Sequence, residues 1–321
     1  FNNIIINNLN FKYKNQKVDT VIKGVNFDDI ELRNLNGIFE GLNTTDHILQ
    51  TNIKNLNYQE KSGFHLKNLS AITTVDTNKI ELKNLLLLTN QSRLTDYYSM
   101  SFKKYSDFKD YFNKIRMKGN FKNSHLDSKD IAYFTSALKD MNLSLDLDGE
   151  VSGLVTNLRA KNLSIKAGKA TYIKGDFNLK GLPNIRETFM DLKIDMAGTN
   201  KKDLEQLLSN TTGKKIKIIP EIINKFGNIN FNGTFVGFQN DFIAYGEFLT
   251  KLGRLVSDVN MKIDKAGIPS YSGSVKTYDF NIGNLLDEKL LGRVTSAVKI
   301  TGRGMEIKNL KEKVDGDIQY I

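Results

Sequence analysis

Three histidines, His47, His65 and His125, are the residues best suited to proton transfer or metal ligation, yet they stand far apart with no metal-binding spacing such as HExxH. His65 takes the polar position of an alternating segment, FHLKNL at 64–69. The run Asp146-Leu147-Asp148-Gly149-Glu150 has the look of a calcium loop but lacks the later carboxylate that completes one. Alternating solvent-facing acids account for it. Gly302-Arg303-Gly304 has neither the Lys-Ser/Thr ending nor the strand-to-helix setting of a phosphate loop, and no G-x-S-x-G elbow occurs. Adjacent acids such as Asp28-Asp29 point to opposite faces of a strand, which prevents paired acid/base work. Sequons such as Asn142 and Asn232 are expected by chance in so Asn-rich a chain. With no cysteine, thiol catalysis, disulfides and Cys-type zinc sites are excluded. The residues ask for no catalytic group, no cofactor and no metal.

The elements that carry these residues are dominated by period two. Leu143, Leu145, Leu147 and Val151 alternate with Ser144, Asp146, Asp148, Glu150 and Ser152, which is a strand with one wet and one dry face. The pattern recurs at Leu163, Ile165, Ala167, Thr171, Ile173, Phe177 and Leu179, and at Met190, Leu192, Ile194 and Met196. It returns at Ile229, Phe231 and Phe235, at Val259, Met261 and Ile263, and at Val294, Val298 and Ile300. Glycines in Asn36-Gly37, Asp148-Gly149, Ala167-Gly168-Lys169, Lys174-Gly175-Asp176 and Asp315-Gly316-Asp317 predict tight hairpins. The spacing predicts an antiparallel meander of about 20 strands.

Four amphipathic stretches interrupt it. Ser106 opens one, with Phe108, Tyr111, Phe112 and Ile115 on one stripe, and Ser128 opens a second, with Ile131, Phe134 and Leu138. Asn200 caps a third, carrying Leu204, Leu207 and Leu208, and the fourth runs between Pro220 and Gly227. The helical insertions thus fall near 103–138 and 200–227, in one continuous architecture over 1–321 that reads as a piece of a longer chain. The phrase IELRNL at 30–35 returns as FHLKNL, as IELKNL at 80–85 and as MEIKNL at 305–310. In it Ile80 and Leu82 face the dry side, Glu81 and Lys83 face water, and Asn84 admits a turn or bulge that brings Leu85 back inward.

The net charge of +10 permits attraction to anionic surfaces, but the lysines are scattered singly, as in Lys174, Lys193, Lys262 and Lys299, so most solvate an outer face. No nucleic-acid site is expected. Short helices cannot cover so large a dry face, and leaving it bare would exceed the few hundred Å² of apolar patch that soluble proteins tolerate. It must pack on itself as a sandwich or barrel, face lipid as a membrane barrel, or line an open groove. Scattered aromatics and helical interruptions fit a membrane barrel poorly.

The stretches DIAYFTSALKDMNLSLDLDGEVSGLVTNLRAKNLSI at 130–165 and IPEIINKFGNINFNGTFVGF at 219–238, with the repeated [I/F/M]-x-[L/I]-[K/R]-N-L phrase, resemble the TamB family of translocation and assembly module proteins, in its Bacteroidetes-type form, within the AsmA-like superfamily. That resemblance implies an all-β fold with a few short helices: a long antiparallel β-groove, U-shaped in section, with an apolar interior. It implies a periplasmic bridge anchored in the inner membrane, which carries phospholipid between membranes or supports outer-membrane biogenesis. Its partners would be phospholipid acyl chains and, through a C-terminal region this chain does not contain, an Omp85-family outer-membrane barrel of TamA type. The membrane anchor likewise belongs to a segment outside this chain. The family offers no catalytic residues.

Under that reading the groove is lined by Leu145, Leu147, Ile173, Phe177, Leu179, Leu192, Ile194, Ile229, Phe231, Phe235, Val259, Met261, Ile263, Val298 and Ile300. Two alternatives share the same alternation. One is a self-packed structural or adhesive β-repeat protein, and the other is a chaperone-like module that offers sheet edges to outer-membrane strands.

Overall fold

A computed structural model describes residues 3–16, 24–212, 219–304 and, for their backbone, 311–320. MEIKNL at 305–310 and residues 213–218 of the predicted second helical region lie outside the described residues. The chain forms two compact units, Phe1–Leu163 and Ser164–Ile321. Strands dominate both, joined in sequence order by antiparallel pairing, with a few short helices between them. This is the all-β antiparallel class that the alternation predicts.

The first unit contains β1 (Asn3–Lys14), β2 (Asp29–Thr45), β3 (Ile48–Glu60), β4 (His65–Val75), β5 (Lys79–Leu88), β6 (Arg93–Ser101), β7 (Arg116–Asp127) and β8 (Ser144–Leu154), each antiparallel to the next. The strand β9 (Asn157–Ala167) begins in this unit and ends in the second. In the second unit follow β10 (Thr171–Lys180), β11 (Phe189–Thr199), β12 (Ile229–Phe238), β13 (Asp241–Thr250), β14 (Gly253–Ile263), β15 (Pro269–Asn281), β16 (Arg293–Arg303) and β17 (Lys311–Tyr320). Among the described residues seventeen strands appear where about 20 were expected. The difference lies in the glycines: Gly37, Gly149, Gly175 and Gly316 sit inside strands, and of the predicted glycine hairpins only Ala167-Gly168-Lys169 turns the chain. A glycine inside a strand marks a bend or close approach as readily as it ends one.

Every pairing from β1 to β8 contains a register shift. The shifts centre on asparagines with left-handed backbone: Asn8, Asn34, Asn55, Asn84 and Asn123 all have φ between 46° and 54°. A bulge inserts one residue that the ladder cannot pair, so its N–H needs another acceptor. Side chains of the neighbouring strand supply it. Asn8 N–H donates to Asn36 Oδ1 (2.8 Å), Asn34 N–H to Asn10 Oδ1 (3.2 Å), Asn55 N–H to Ser70 Oγ (3.1 Å) and Asn123 N–H to Asp148 Oδ1 (2.7 Å). The amide groups of Asn36 and Asn57 donate back to the carbonyls of Asn34 and Asn55. The N-L-N copies at 8–10 and 34–36 thus supply acceptors for each other's bulges, while the copy at 55–57 uses Ser70.

Helical segments follow the predicted order with different boundaries. A 3-10 turn at Tyr105–Asp110 runs into α1 (Tyr111–Lys114), and the Asp107 carboxylate, not Ser106, accepts the N–H groups of Lys103 and Lys104. Between α1 and α2 (Ser128–Ile131) lies the whole of β7, so the region 103–138 holds two separate insertions; Asp127 caps α2 by accepting from Lys129 N–H. Asn200 caps α3 (Lys201–Thr212) as expected, its Oδ1 accepting from Asp203 N–H at 2.9 Å. Pro220 and Gly227 bracket a 3-10 turn at Glu221–Phe226, and α4 (Ile282–Leu286) precedes β16.

Candidate functional site

Directly opposed residues on antiparallel strands point to the same face, so the registers decide which side chains share one. In the second unit Phe177 faces Leu192, Leu192 faces Phe235, Phe235 faces Ala244, Ala244 faces Val259, Val259 faces Gly273 and Gly273 faces Ile300. A parallel row runs through Ile194, Gly233, Gly246, Ser257, Val275 and Val298. Ile173 joins Ala197 and Phe231, and Ile229 joins Thr199; Leu179 joins Met190, while Met261 and Ile263 continue the row of Val259. All thirteen predicted residues of this unit therefore lie on one face. Leu145 and Leu147 stand on β8 in the first unit, opposite Leu126 and Ser124.

The face is unevenly closed. Phe177 and Ile194 are buried, at 3% and 7% exposure, whereas Phe231, Phe235, Val259, Met261, Val298 and Ile300 keep part of their surface open. Aromatic rings cover its small residues: Phe231 pairs with Phe248 at 4.6 Å and Phe235 with Phe242 at 4.7 Å between centroids. A Cβ on Gly246 would lie 2.6 Å from the Phe231 ring. Each strand packs against its neighbours in the meander.

Alternation did not mark Phe242, Ala244, Gly246 and Phe248, which belong to the same face through β13. Their opposite parity, Ile243, Tyr245 and Leu249, is apolar and exposed, so DFIAYGEFLT has no period-two contrast to find. Met196 departs from the predicted parity. Lys174 faces Met196 but Gly175 faces Ile194, so a bulge falls between Ile194 and Met196 and turns the latter out to 51% exposure.

In the first unit the phrase IELKNL folds as read: Leu82 and Leu85 are both buried with Ala71, and Leu69, Ile80, Leu87, Leu94 and Tyr98 pack around them. Asn84 takes the left-handed bend that restores the inward direction. On the wet side Glu81 accepts from Lys79 (2.9 Å) and from the Tyr97 hydroxyl (2.8 Å), with Lys83 at 3.2 Å; these hydrogen bonds pull its carboxyl down to about 2. Glu31 of IELRNL is held low in the same way, first by Arg33.

Several of the polar residues singled out by type have structural partners. His125 Nδ1 lies 2.7 Å from Asp146 Oδ1 and its Nε2 lies 2.9 Å from Ser144 Oγ. These are the contacts of a Ser-His-Asp triad, but Ser144 is exposed and Asp146 is 64% exposed. A nucleophilic serine needs them in a water-excluded setting with donors facing the developing oxyanion, so the trio reads as a hydrated cross-strand ladder. Asp148 is committed to the Asn123 bulge. Gly302 lies beneath the Tyr271 ring and Arg303 pairs with Asp264 at 2.9 Å. His47 forms with Asp46 the two-residue turn between β2 and β3, both at positive φ, as a type I′ hairpin requires. Among the described residues no group of His, Asp and Glu is placed to hold a metal, and no helix is long and apolar enough to cross a membrane.

No protein family, curated protein or solved structure matches this chain.

Proposed function

We propose that this chain is a segment of a bridge-like lipid conduit, in which phospholipid acyl chains lie on the apolar face and headgroups stay in water, as in the periplasmic TamB-type proteins that its sequence resembles. The observation that carries the reading is the common face of the second unit: thirteen residues selected by alternation alone stand in register across β10 to β16, and all but Phe177 and Ile194 keep part of their surface open. A self-packed repeat would bury that face against a partner layer. Movement along such a surface suits many weak, equivalent contacts, and the rows repeat without a charged side chain.

A carboxylate on this face would carry an unpaired charge into the acyl path. Ile194→Asp tests this at a buried position, and Phe235→Asp tests it where the side chain is already partly open and folding is less at risk. Both should lose co-purifying phospholipid, measured by mass spectrometry of an organic extract, while circular dichroism stays β-rich. Folded variants with unchanged lipid content, or a wild-type extract without lipid, would remove the conduit reading and leave the structural repeat.

A further inference from the structure

The strands of the first unit end in two rows. One row holds Lys14, Asp29, Glu60, Leu88, Arg93 and Asp127, and the other holds Ile48, Val75, Lys79, Ser101, Arg116 and Leu154. The segment 102–115 leaves from the second row, where Phe102 N–H donates to Asn78 O and Thr156 N–H to Phe112 O. It nevertheless reaches the first row, because Lys109 Nζ lies 3.0 Å from Asp28 Oδ1, next to the start of β2. The eight steps of β6 alone span about 26 Å, and β2 lies four strand spacings, about 19 Å, to its side. A contact between the two rows requires that the segment cross one side of the sheet.

That side is the apolar one. The Tyr111 hydroxyl meets the Tyr98 hydroxyl, and Tyr98 packs on the cluster of Ala71, Leu82 and Leu85. Phe102, Phe108, Tyr111 and Phe112 form a continuous chain of ring contacts along the segment. We propose that residues 102–115 are a strap that closes the apolar face of the first unit, latched by Lys109 to Asp28, and that it lifts to admit lipid. This rests on the conduit reading above, since a path for acyl chains cannot pass beneath a closed strap. The latch suits reversible opening: Lys109 is 61% exposed, and an ion pair so placed is weak. The aromatic chain sets how readily the strap closes again over the face.

Because the chain has no cysteine, introduced thiols are its only ones. Two changes move the strap in opposite directions: Lys109→Glu repels Asp28, and Asp28→Cys with Lys109→Cys, joined by a short bis-maleimide, locks it. A photoreactive benzoylphenylalanine at Leu87, beside the covered cluster, and another at Phe235, in the second unit, report phospholipid adducts by mass spectrometry from vesicles of phosphatidylethanolamine and phosphatidylglycerol. Breaking the latch should raise the Leu87 adduct about threefold to fivefold, the gain that losing an exposed ion pair permits. Locking should abolish it, and the Phe235 adduct should change in neither. Equal Leu87 adducts in wild type, Lys109→Glu and the locked form overturn the strap while the Phe235 adduct still supports the conduit. If neither site takes lipid in any form, the conduit reading fails; maleimide reactivity of Leu87→Cys, with the lock then made by an Asp28→Glu–Lys109 carbodiimide amide, decides the strap by the same order of rates.

Discussion

The two units differ in how far they rely on bulges: every pairing from β1 to β8 is shifted, whereas in the second unit β12 to β15 run unshifted between shifted pairings at β10–β11, β11–β12 and β15–β16. In the first, an asparagine enters the left-handed region at Asn8, Asn34, Asn55, Asn84 and Asn123, each shift of register interrupts the ladder, and at Asn8, Asn34, Asn55 and Asn123 a polar side chain next door takes up the stranded N–H. In the second, β12 to β15 pair without a single shift, and glycines such as Gly233 (φ 149°) and Gly273 (φ 152°) take backbone positions that other residues avoid, while aromatic rings lie over the gaps. A bulge flips the side-chain parity; a glycine does not. The first solution can therefore place two apolar residues of one strand inward three positions apart, as Leu82 and Leu85 are, whereas the second, across β12 to β15, keeps every second residue on the dry face over the length of a strand. Long uninterrupted rows, which the conduit reading needs, are the product of the second.

The sharpest way to break the contrast is Gly233→Ala. Its Cβ would stand 2.2 Å from the Tyr245 carbonyl at a φ that disfavours alanine, and we expect a loss of about 3–5 kcal/mol in the unfolding free energy of the second unit by urea titration. A loss under 1 kcal/mol would mean the glycine is not what permits the close approach. Phe231→Ala removes the ring over Gly233 and Gly246, and about 2–3 kcal/mol should follow, below the cost of a fully buried Phe because the ring is partly open.

In the first unit Asn84→Ala should cost about 1–2 kcal/mol, and Asn84→Gly should come within about 0.5 kcal/mol of wild type, since glycine takes the left-handed bend without a Cβ. If alanine and glycine are equivalent there, the bulge depends on its neighbours and not on asparagine. The smallest effect concerns acid. Glu81 is depressed in the folded state to about 2, so its ionised form stabilises the fold above its unfolded value near 4.5, and that contribution is lost as pH falls from there towards 2. Unfolding followed across that window should show a steeper loss for wild type than for Glu81→Gln.

Much of this was legible residue by residue. The inward direction of Phe177, Leu192, Val259 and Ile300 follows from alternation, and the cap at Asn200 from its residue type, because both depend on neighbours in the chain. Phe242 and Phe248 were hidden because both faces of β13 are apolar, and Met196 was misassigned because the bulge that turns it shows only in the pairing of β11 with β10. The acceptors for the bulges at Asn8 and Asn34 were in plain view as N-L-N, yet their purpose depends on a strand that lies more than twenty residues away.

What the sequence determined by itself is the alternation of wet and dry side chains and the asparagine and glycine positions where the backbone can bend, since a strand's period of two and a residue's tolerance of positive φ are local properties. Only the tertiary structure decided which residues stand side by side in rows, which glycines bend a strand instead of ending it, and that Lys109 meets Asp28 from the opposite row of strand ends. Those outcomes belong to register and curvature, which are set by the neighbouring strands and by nothing within one strand alone.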